Sequence, residues 1–345
     1  MATINDVAKL AGVSRMTVSR ALNGTGPIRP ETRARIEAAI RQLNYRPNLV
    51  AKSLVTRRSC TIAYVMVNIS DPFHNMVSRG IESVAYGRRY TAMMCDTHVP
   101  GRARDYIEMF LDNRLGGCVF HHLAIDRSQV ELLTGGGVQC VLMDNETDLE
   151  GVSAVDTDNR LGGALAAEYL IARGYRRIGC VHGVLERPGT SGEDIPYEDT
   201  FQFRIWRERT RGFLDAMSGH GLEPAGLFSG NGRYDRMTQL SGEIVSALLG
   251  MKDRPTALYC ENDIMAIAML KALSARGLRV PADVALIGHD GLDLCGMVTP
   301  CVTTVAQPRF EMGRMAAQLL IEQIENGCAP RRVVLKPVIQ AGETA

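Results

Sequence analysis

From residue 61 onward, short apolar runs alternate with amphipathic segments, and this alternation constrains the fold more than any other feature of the sequence. The apolar runs are TIAYVMV, TAMMC, GCVFHH, VQCVLM, RIGCVHG, TALYC and DVALIGHD, and a last strand is expected at RRVVLKPVI. Helical periodicity lies between them over 74–88, 103–114, 161–173, 234–249, 262–276 and 310–326. Strand–helix alternation predicts α/β lobes with doubly wound parallel sheets. The number of units predicts two lobes, with ligand sites at the carboxyl ends of their strands.

The first 58 residues differ from the rest of the chain in charge. They hold eleven Lys or Arg and three Asp or Glu, a net charge of +8, whereas the remaining residues hold 28 and 35, a net charge of −7. Such asymmetry predicts an anionic partner, either nucleic acid or a membrane. A membrane anchor would need bulky apolar residues on one face. This segment is rich in Ala, Thr, Ser and Asn instead, which favours nucleic acid.

The same segment predicts three short helices with a tight turn between the first two. Thr3 can cap the first helix, and Gly12 suits the left-handed residue that ends it. Ser14 can cap a second helix, and Pro30 is a favourable first residue for a third helix, over about 30–43. Together these features predict an all-α helix-turn-helix headpiece.

The second helix has two faces. Its narrow apolar face carries Val18, Ala21 and Leu22, and its opposite face carries Arg15, Met16, Ser19 and Arg20. Met16 therefore lies on the side away from the core. This face is either an ordinary solvated surface or the reading face of a recognition helix, on which arginines contact guanine edges and Met16 a thymine methyl or a sugar.

Composition and motifs limit which other classes of protein the chain can belong to. The chain has 345 residues, 46% of them hydrophobic, and no apolar run of 18 residues, so we expect a globular protein without a membrane span. Nine scattered cysteines without a C-x-x-C pair, and no secretory signal pattern at the N-terminus, favour reduced thiols in the cytoplasm. No G-x-G-x-x-G after a strand, G-x-S-x-G, H-E-x-x-H or zinc-ligand spacing is found, so no enzyme activity, cofactor or metal is expected.

The stretch TINDVAKLAGVSRMTVSRALNGTGPIRPETRARIEAAIRQLNYRPNLVAKSL, residues 3–54, resembles the headpiece of the lactose/galactose repressor (LacI/GalR) family of bacterial transcriptional regulators. The rest resembles the effector-binding core of that family, which is similar to periplasmic sugar-binding proteins, through DPF, DN, RERTRGF, ENDIMA, GLRVPADVALIGHDG and TTVAQP. The resemblance implies a headpiece over 1–46, a hinge helix or linker over 47–58 and an effector-binding and dimerisation core over 59–345. Lobe one would span about 59–158 and 307–336, and lobe two about 159–306 and 337–345.

The resemblance also implies roles in binding operator DNA. Base edges would be read by Arg15, Met16 and Arg20, and phosphates would be held by Thr3, Ser14, Thr17, Ser19 and Asn23. The hinge segment 47–54 would order only on DNA and place Leu54 in the minor groove, with Asn48 and Ala51 nearby. An apolar wedge there would unstack one base step. The alternative for Leu54 is an ordinary hydrophobe packed on the core.

For the effector, the resemblance implies a cleft between the lobes. Arg209 would grip the ligand with Arg207 close by, Asp290 would accept ligand hydroxyls, and Asn262 would assist. The cleft would be completed by Phe73, His74, His121, Asp144 and Gln307. Surface salt bridges remain the alternative for the two arginines, and a structural role the alternative for His121 and His122.

The sequence departs from the family pattern at three places. Gly232, next to Arg233, replaces an aromatic residue that the family often carries, and Arg309 follows AQP. Extra arginines near the cleft favour an anionic effector, such as a sugar acid or phosphosugar. Residues 184–206 form an insertion that we expect to overhang the cleft and to shape effector choice.

Three functional classes are open at this stage. The favoured one is a cytoplasmic, nucleoid-associated repressor that binds a pseudo-palindromic double-stranded operator as a homodimer under the control of a sugar, sugar acid or related metabolite. A dimer is expected rather than a tetramer because no leucine heptad follows the last strand. A sugar receptor would share the core but would have no use for the basic headpiece, and a two-lobed enzyme would lack the motifs named above. Whether the effector induces or corepresses stays open.

Overall fold

The structure, a computed structural model, describes residues 2–23, 26–45, 59–99, 101–145, 149–184, 204–231 and 237–345. The chain divides into two compact units, residues 1–60 and residues 61–345. None of the described helices is both long enough and apolar enough to cross a lipid bilayer.

The first unit contains three helices, α1 (Ile4–Ala11), α2 (Arg15–Asn23) and α3 (Pro30–Gln42). Thr3 and Asp6 form a reciprocal capping box at the start of α1, with the Thr3 amide donating to the Asp6 carboxylate at 2.8 Å. Gly12, at φ 65°, ends the helix in the left-handed conformation. The Ser14 hydroxyl accepts a hydrogen bond from the Thr17 amide at 3.1 Å and so caps α2. The three helices bury a common core of Val7, Ala8, Ala11, Val18, Ile36 and Ala39.

The second unit alternates strands and helices. In chain order they are β1 (Thr61–Met66), α4 (Phe73–Gly87), β2 (Thr91–Asp96), α5 (Arg102–Asp112), β3 (Gly117–His121), α6 (Arg127–Gly135), β4 (Gln139–Met143), β5 (Ser153–Thr157), α7 (Asn159–Ala172), β6 (Ile178–Val184), α8 (Arg204–Gly219), β7 (Leu227–Asn231), α9 (Met237–Gly250), β8 (Ala257–Cys260), α10 (Asp263–Ala275), β9 (Ala285–Asp290), β10 (Thr303–Ala306), α11 (Arg309–Asn326), β11 (Arg332–Leu335) and β12 (Val338–Gln340). A short 3₁₀ helix, Asp293–Gly296, follows β9.

These strands form two six-stranded sheets, ordered β11-β5-β4-β3-β1-β2 and β12-β10-β9-β8-β6-β7. Helices cover both faces of each sheet: α4 and α11 lie opposite α5 and α6 in the first lobe, and α7 and α8 lie opposite α9 and α10 in the second. The predicted fold class, an all-α headpiece with two doubly wound lobes, is confirmed. Every described strand pair is parallel except β10–β12, which is antiparallel.

The prediction of one continuous last strand at RRVVLKPVI is wrong, because the run divides into β11 and β12 in different sheets. Lys336 and Pro337 separate the two strands, and a proline cannot donate to a ladder hydrogen bond. The chain leaves the first sheet at the carboxyl end of β11 and enters the second sheet at once. This short connection leaves no room for a crossover helix, so β12 runs antiparallel to its neighbour.

Pairs of glycines bring helices into close contact in both lobes. A Cβ at Gly80 of α4 would lie 2.1 Å from the carbonyl oxygen of Phe310, and one at Gly313 of α11 would lie 2.0 Å from that of Val77. In the second lobe, a Cβ at Gly163 of α7 would lie 1.8 Å from the carbonyl oxygen of Arg209. Real Cβ atoms do not approach a carbonyl so closely. The helix that carries Arg209 is therefore positioned by the absence of a side chain on its neighbour.

Candidate functional site

The outer face of α2 presents the side chains that the sequence predicts for base contacts. Arg15, Met16 and Arg20 are exposed, and the Met16 side chain has an exposed fraction of 63%. Val18 is fully buried on the opposite side. Exposing the apolar Met16 side chain to water beside two arginines is unfavourable, and the side chain adds no packing to the headpiece core. This face is therefore available for a partner.

The residues predicted to hold phosphates have different surroundings. Thr3 and Ser14 are exposed and serve as helix caps, and Thr17 and Ser19 are half-buried. The hydroxyls of Ser14 and Thr17 lie 2.9 Å apart at the N-terminus of α2. Amide groups at such a terminus favour an anion. Asn23 is the last residue of α2, and Asn48, Ala51 and Leu54 lie outside the described residues.

In the first lobe, two neighbouring strands bring three polar side chains together. His121 of β3 pairs in register with Met143 of β4, so the next residues, His122 and Asp144, leave the sheet side by side. Ligand atoms of His121, His122 and Asp144 all lie within 4.8 Å of one another. His122 and Asp144 hold φ angles of 56° and 41°, in the left-handed region that side chains other than glycine rarely occupy. Such strain is concentrated at functional sites.

A buried hydrogen-bond network lies beneath this cluster. The Tyr64 hydroxyl is 2.5 Å from Nδ1 of His121 and 2.8 Å from Nδ1 of His74. Burial holds the pKa of His121 well below its ordinary value and lowers the pKa of His74 to about 4, so both imidazoles are neutral at pH 7. Phe73 packs against the His121 and His122 rings, with centroids 5.7 and 5.9 Å away. Phe73 and His74 are themselves almost fully buried.

In the second lobe, Asp290 is the centre of the polar site. It is the last residue of β9, and its Oδ1 lies 3.2 Å from Nη2 of Arg209 and accepts a hydrogen bond from Nε2 of Gln307 at 2.7 Å. Arg209 is 2% exposed and also donates to the Asn159 side chain at 2.9 Å and to the Glu261 carbonyl. The structure thus brings Arg209, Asp290 and Gln307 together, as the predicted cleft requires.

Three other arginine and asparagine positions lie outside that cluster. Arg207 is half-buried, and because it is two residues from Arg209 on α8 it lies on a different face of the helix. Asn262 caps α10, with its side-chain oxygen accepting a hydrogen bond from the Met265 amide at 2.7 Å. Arg309 is buried and donates to the Gly291 carbonyl and to Asp293. Arg309 therefore holds the loop after β9.

Sequence reasoning missed three buried residues that support the second-lobe site. Asp263 is fully buried and accepts hydrogen bonds from the Leu292 amide at 2.7 Å and the Thr304 hydroxyl at 2.5 Å. Glu261, also fully buried, accepts from Thr210, and Asn159 orients Arg209. The available signal was polar residues directly after apolar strands, as in TALYCEND. At that position a parallel sheet presents its ligand-binding edge.

The two lobes face each other at these strand ends. The chain crosses between the lobes after β5, β10 and β11, each time from a carboxyl end. Burial raises the pKa of Asp290 to about 6, and Asp71 of the first lobe acts in the same direction. Arg209, and His122 of the first lobe, oppose this rise in the pKa. A polar cavity of about 470 Å³ opens beside the crossing after β5 and has walls from both lobes, including Asp144, Asn145, Asn159, Arg204 and Glu208. Its volume suits a small ligand.

Most of the insertion and one of the departures from the family pattern lie outside the described residues, namely residues 185–203, Gly232 and Arg233. The end of the predicted insertion, residues 204–206, forms the first turn of α8. Nη1 of Arg204 donates to the Asn145 carbonyl at 3.0 Å and so joins α8 to the first lobe.

Comparison with known proteins agrees with both units. Residues 3–48 match the family described as bacterial regulatory proteins, lacI family, and residues 167–344 match the periplasmic binding protein-like domain. The chain is 32% identical over 335 residues to the HTH-type transcriptional repressor PurR of Photobacterium profundum, covering 96% of this chain and 95% of that protein. It is 34% identical to the PurR of Proteus mirabilis, covering 94% of this chain and 91% of that protein.

Solved structures show the same architecture. The transcriptional regulator CelR in complex with cellobiose superposes with a TM-score of 0.71 at 28% identity and full coverage of both chains. The lac repressor dimer bound to operator and the anti-inducer ONPF superposes with a TM-score of 0.80 at 22% identity, covering 99% of this chain and 98% of that one, which shows the shared fold. The chain belongs to the LacI family of bacterial regulatory proteins.

Proposed function

We propose that this protein is a transcriptional repressor that reads operator DNA with α2 and changes its operator affinity when a small-molecule effector occupies the cleft. The observation that carries the proposal is the joint presence of a basic headpiece and a two-lobed core in a chain that aligns with named repressors over 96% of its length. The family consists of transcriptional regulators, so an enzymatic role has no support from these relatives.

For DNA, the proposal assigns base contacts to the exposed face of α2. Arg15 and Arg20 carry forked donors that match the two acceptors of guanine in the major groove, and Met16 offers an apolar surface to a thymine methyl. The amides at the start of α2, with Ser14 and Thr17, would bind phosphate. Residues 47–58 would form the hinge, with Leu54 as the minor-groove wedge beside Asn48 and Ala51.

For the effector, the proposal names a sugar, a sugar acid or a related metabolite. Asp290 and Gln307 offer acceptors for ligand hydroxyls, and Arg209 brings a guanidinium to the same point. The side-chain oxygen of Gln307 is buried without a hydrogen-bond partner among the described residues, which suits a ligand donor. The structural relative CelR is titled as a complex with cellobiose. Extra arginines in the sequence favour an anionic member of the class.

The proposal includes assembly and coupling. Two copies of the chain would place two headpieces on a pseudo-palindromic operator, because symmetric dimers bind symmetric half-sites. The effector would change the relative positions of the lobes and hence the spacing of the hinges. Linkage then requires that operator DNA change effector affinity by the same factor.

The DNA proposal is tested with an operator selected from a random duplex library and fluorescence anisotropy at fixed salt. Arg20→Ala should weaken binding to the selected operator by about 1–3 kcal/mol and relax preference at one base position. The control is Arg41→Ala, which removes an exposed arginine from the last turn of α3. If Arg20→Ala weakens binding equally on every sequence, Arg20 contacts phosphate instead; if no operator is enriched, the function is wrong.

The effector proposal is tested by a thermal-shift screen of sugars and sugar acids. A ligand at a hundred times its dissociation constant adds about 2.7 kcal/mol of stability, a shift that is easily measured. Asp290→Asn should abolish the shift given by any compound found, whereas the exposed Asp253→Asn should leave it unchanged. A hit that Asp290→Asn still binds with full affinity would place the effector elsewhere.

A further inference from the structure

The first-lobe cluster contains three buried polar atoms that have no hydrogen-bond partner among the described residues. They are Nε2 of His121, Nε2 of His122 and Oδ2 of Asp144. His121 is fully buried and Asp144 is 3% exposed. Leaving one such atom without a partner costs about 1–3 kcal/mol, and more when the group is charged. Three of them at one point indicate that the site is built for a ligand that accepts lone pairs.

From these contacts we propose that His121, His122 and Asp144 bind a divalent transition-metal ion of the zinc class. The donor set is two imidazoles and one carboxylate, which suits zinc and its neighbours, whereas calcium and magnesium prefer oxygen donors. Three protein ligands leave open coordination positions for water or another small ligand. The site lies at the wall of the cleft, since His122 is partly exposed and Asp144 lines the polar cavity that has walls from both lobes.

The distances suit this assignment with a small adjustment. Nε2 of His122 and Oδ2 of Asp144 are 3.7 Å apart, and no separation within the cluster exceeds 4.8 Å. In a tetrahedral site with bonds of about 2.1 Å the donors lie about 3.4 Å apart. The His122–Asp144 pair is already close to that separation, and the widest pair has to approach by no more than roughly 1.4 Å on binding. A shift of this size is within the reach of rotations of the His122 side chain, which is the most exposed of the three.

The buried network behind the cluster prepares His121 for this role. If Nδ1–H of His121 donates to the Tyr64 oxygen, the Tyr64 hydroxyl can donate to Nδ1 of His74, and both contacts are satisfied. Nε2 of His121 then carries a lone pair, and it is one of the buried atoms without a hydrogen-bond partner among the described residues. Metal-binding histidines typically fix their second nitrogen in this way. Tyr64 and His74 are thus positioning residues, which explains why an apolar core holds a Tyr–His–His chain.

Charge gives an independent argument. Asp144 and Asp156 are two buried carboxylates that line the same polar cavity. Arg332 pairs with Asp156 at 2.6 Å, but Asp144 has only the Thr157 amide, at 2.8 Å on Oδ1, as a hydrogen-bond donor among the described residues. Nε2 of His122 lies 3.7 Å from Oδ2 of Asp144, too far for a hydrogen bond, so neither atom satisfies the other. A dication at this point would balance the carboxylates.

The test uses the full chain stripped with a chelator and returned to chelator-free buffer, without DNA or effector, so that its outcome is independent of the proposed function. Zinc is titrated in competition with a chromophoric chelator, and cobalt is then used as a spectroscopic probe. We expect one tight ion per chain and a cobalt spectrum without thiolate charge-transfer bands. Such bands would assign the ion to cysteines, of which Cys328 is exposed, and would overturn the inference.

Variants decide which residues bind the ion. His122→Ala and Asp144→Asn should each weaken zinc binding by roughly a hundredfold or more, since losing a mere supporting partner already costs about 10–100-fold. Asp144→Asn keeps the oxygen that accepts from Thr157, and urea denaturation checks that both variants fold. The matched control is His220→Ala, which removes an exposed imidazole in the second lobe. If the two cluster variants bind zinc as tightly as the control, or if the wild type binds no ion, the inference is wrong.

Discussion

Replacing Gly163 of α7 by alanine should move the helix that carries Arg209 and destabilise the core. The new Cβ would lie 1.8 Å from the Arg209 carbonyl oxygen and 2.9 Å from the Phe213 amide nitrogen. Ordinary contact begins near 3.4 Å, so α7 and α8 must separate by about 1.6 Å, the difference between 3.4 Å and 1.8 Å. The atoms in the way belong to backbone, which cannot rotate aside as a side chain can.

The size of the effect follows from two opposing contributions. Overpacking a close-packed core costs about 1–3 kcal/mol, and a backbone clash belongs at the upper end. Alanine in a helix interior gains about 1 kcal/mol over glycine. We therefore expect Gly163→Ala to lose about 2 kcal/mol of unfolding free energy. The displaced α8 should also pull Arg209 away from Asp290, now 3.2 Å away, and weaken effector binding.

A matched control separates this mechanism from glycine chemistry in general. Gly242 lies within α9, and a Cβ there would meet nothing within 4 Å. Gly242→Ala should therefore stabilise the protein by about 0.5–1 kcal/mol. Urea denaturation of the two variants should show midpoints that move in opposite directions at similar slopes. Equal midpoints for Gly163→Ala and Gly242→Ala would refute the reasoning about helix contact.

Two further predictions concern pH and operator choice. Burial, and after it Asp290, raises the pKa of Asp263 from 3.8 to about 7, so its stabilising contribution is present below about pH 4 and is lost as pH rises towards 7. Denaturant titrations give the unfolding free energy of the wild type and of Asp263→Asn. The difference, wild type minus variant, should fall by up to about 1.4 kcal/mol per pH unit between pH 4 and 7. A difference that rises with pH would contradict this. Met16→Ala should alter base preference in a selected-operator assay while leaving the unfolding free energy within about 0.5 kcal/mol, because Met16 is 63% exposed; a larger loss of stability would mean that it packs in the headpiece.

The sequence predicts the fold well because local signals and burial agree. Capping residues such as Thr3 and Ser14, and Gly12 with its left-handed backbone, fix the headpiece helices without tertiary information. Predominantly apolar runs such as TIAYVMV identify strands covered on both faces. The short strands β5 (SAVDT) and β10 (TTVA) carry no such signal, because they are stabilised by neighbouring strands rather than by their own composition. The resemblance separates the two halves of RRVVLKPVI between the lobes at 336 and 337, but that each half is a strand in its own sheet follows only from the tertiary structure.

The candidate site, like the fold, is only partly predictable from the sequence. Sequence reasoning places Arg209, Asp290 and Gln307 in one cleft, and the structure brings these three together. It does not foresee that Asn262 is occupied as a helix cap or that Arg309 holds a loop carbonyl. Those contacts depend on where a long side chain points after the backbone has folded. A motif gives the position of such a residue, but the partner of its polar atoms is a property of the tertiary structure.

The residues of the metal-ligand cluster form no linear motif. Zinc patterns in sequences rely on ligands close together in the chain, whereas Asp144 is far from His121 and His122 along the sequence and next to them in space. They meet because β3 and β4 are parallel neighbours in register, so equivalent positions after each strand come together at one edge. The same register rule applies to polar residues that follow any adjacent pair of buried strands. Reading the strand ends together, after the strand order is known, therefore finds sites that no linear spacing reveals.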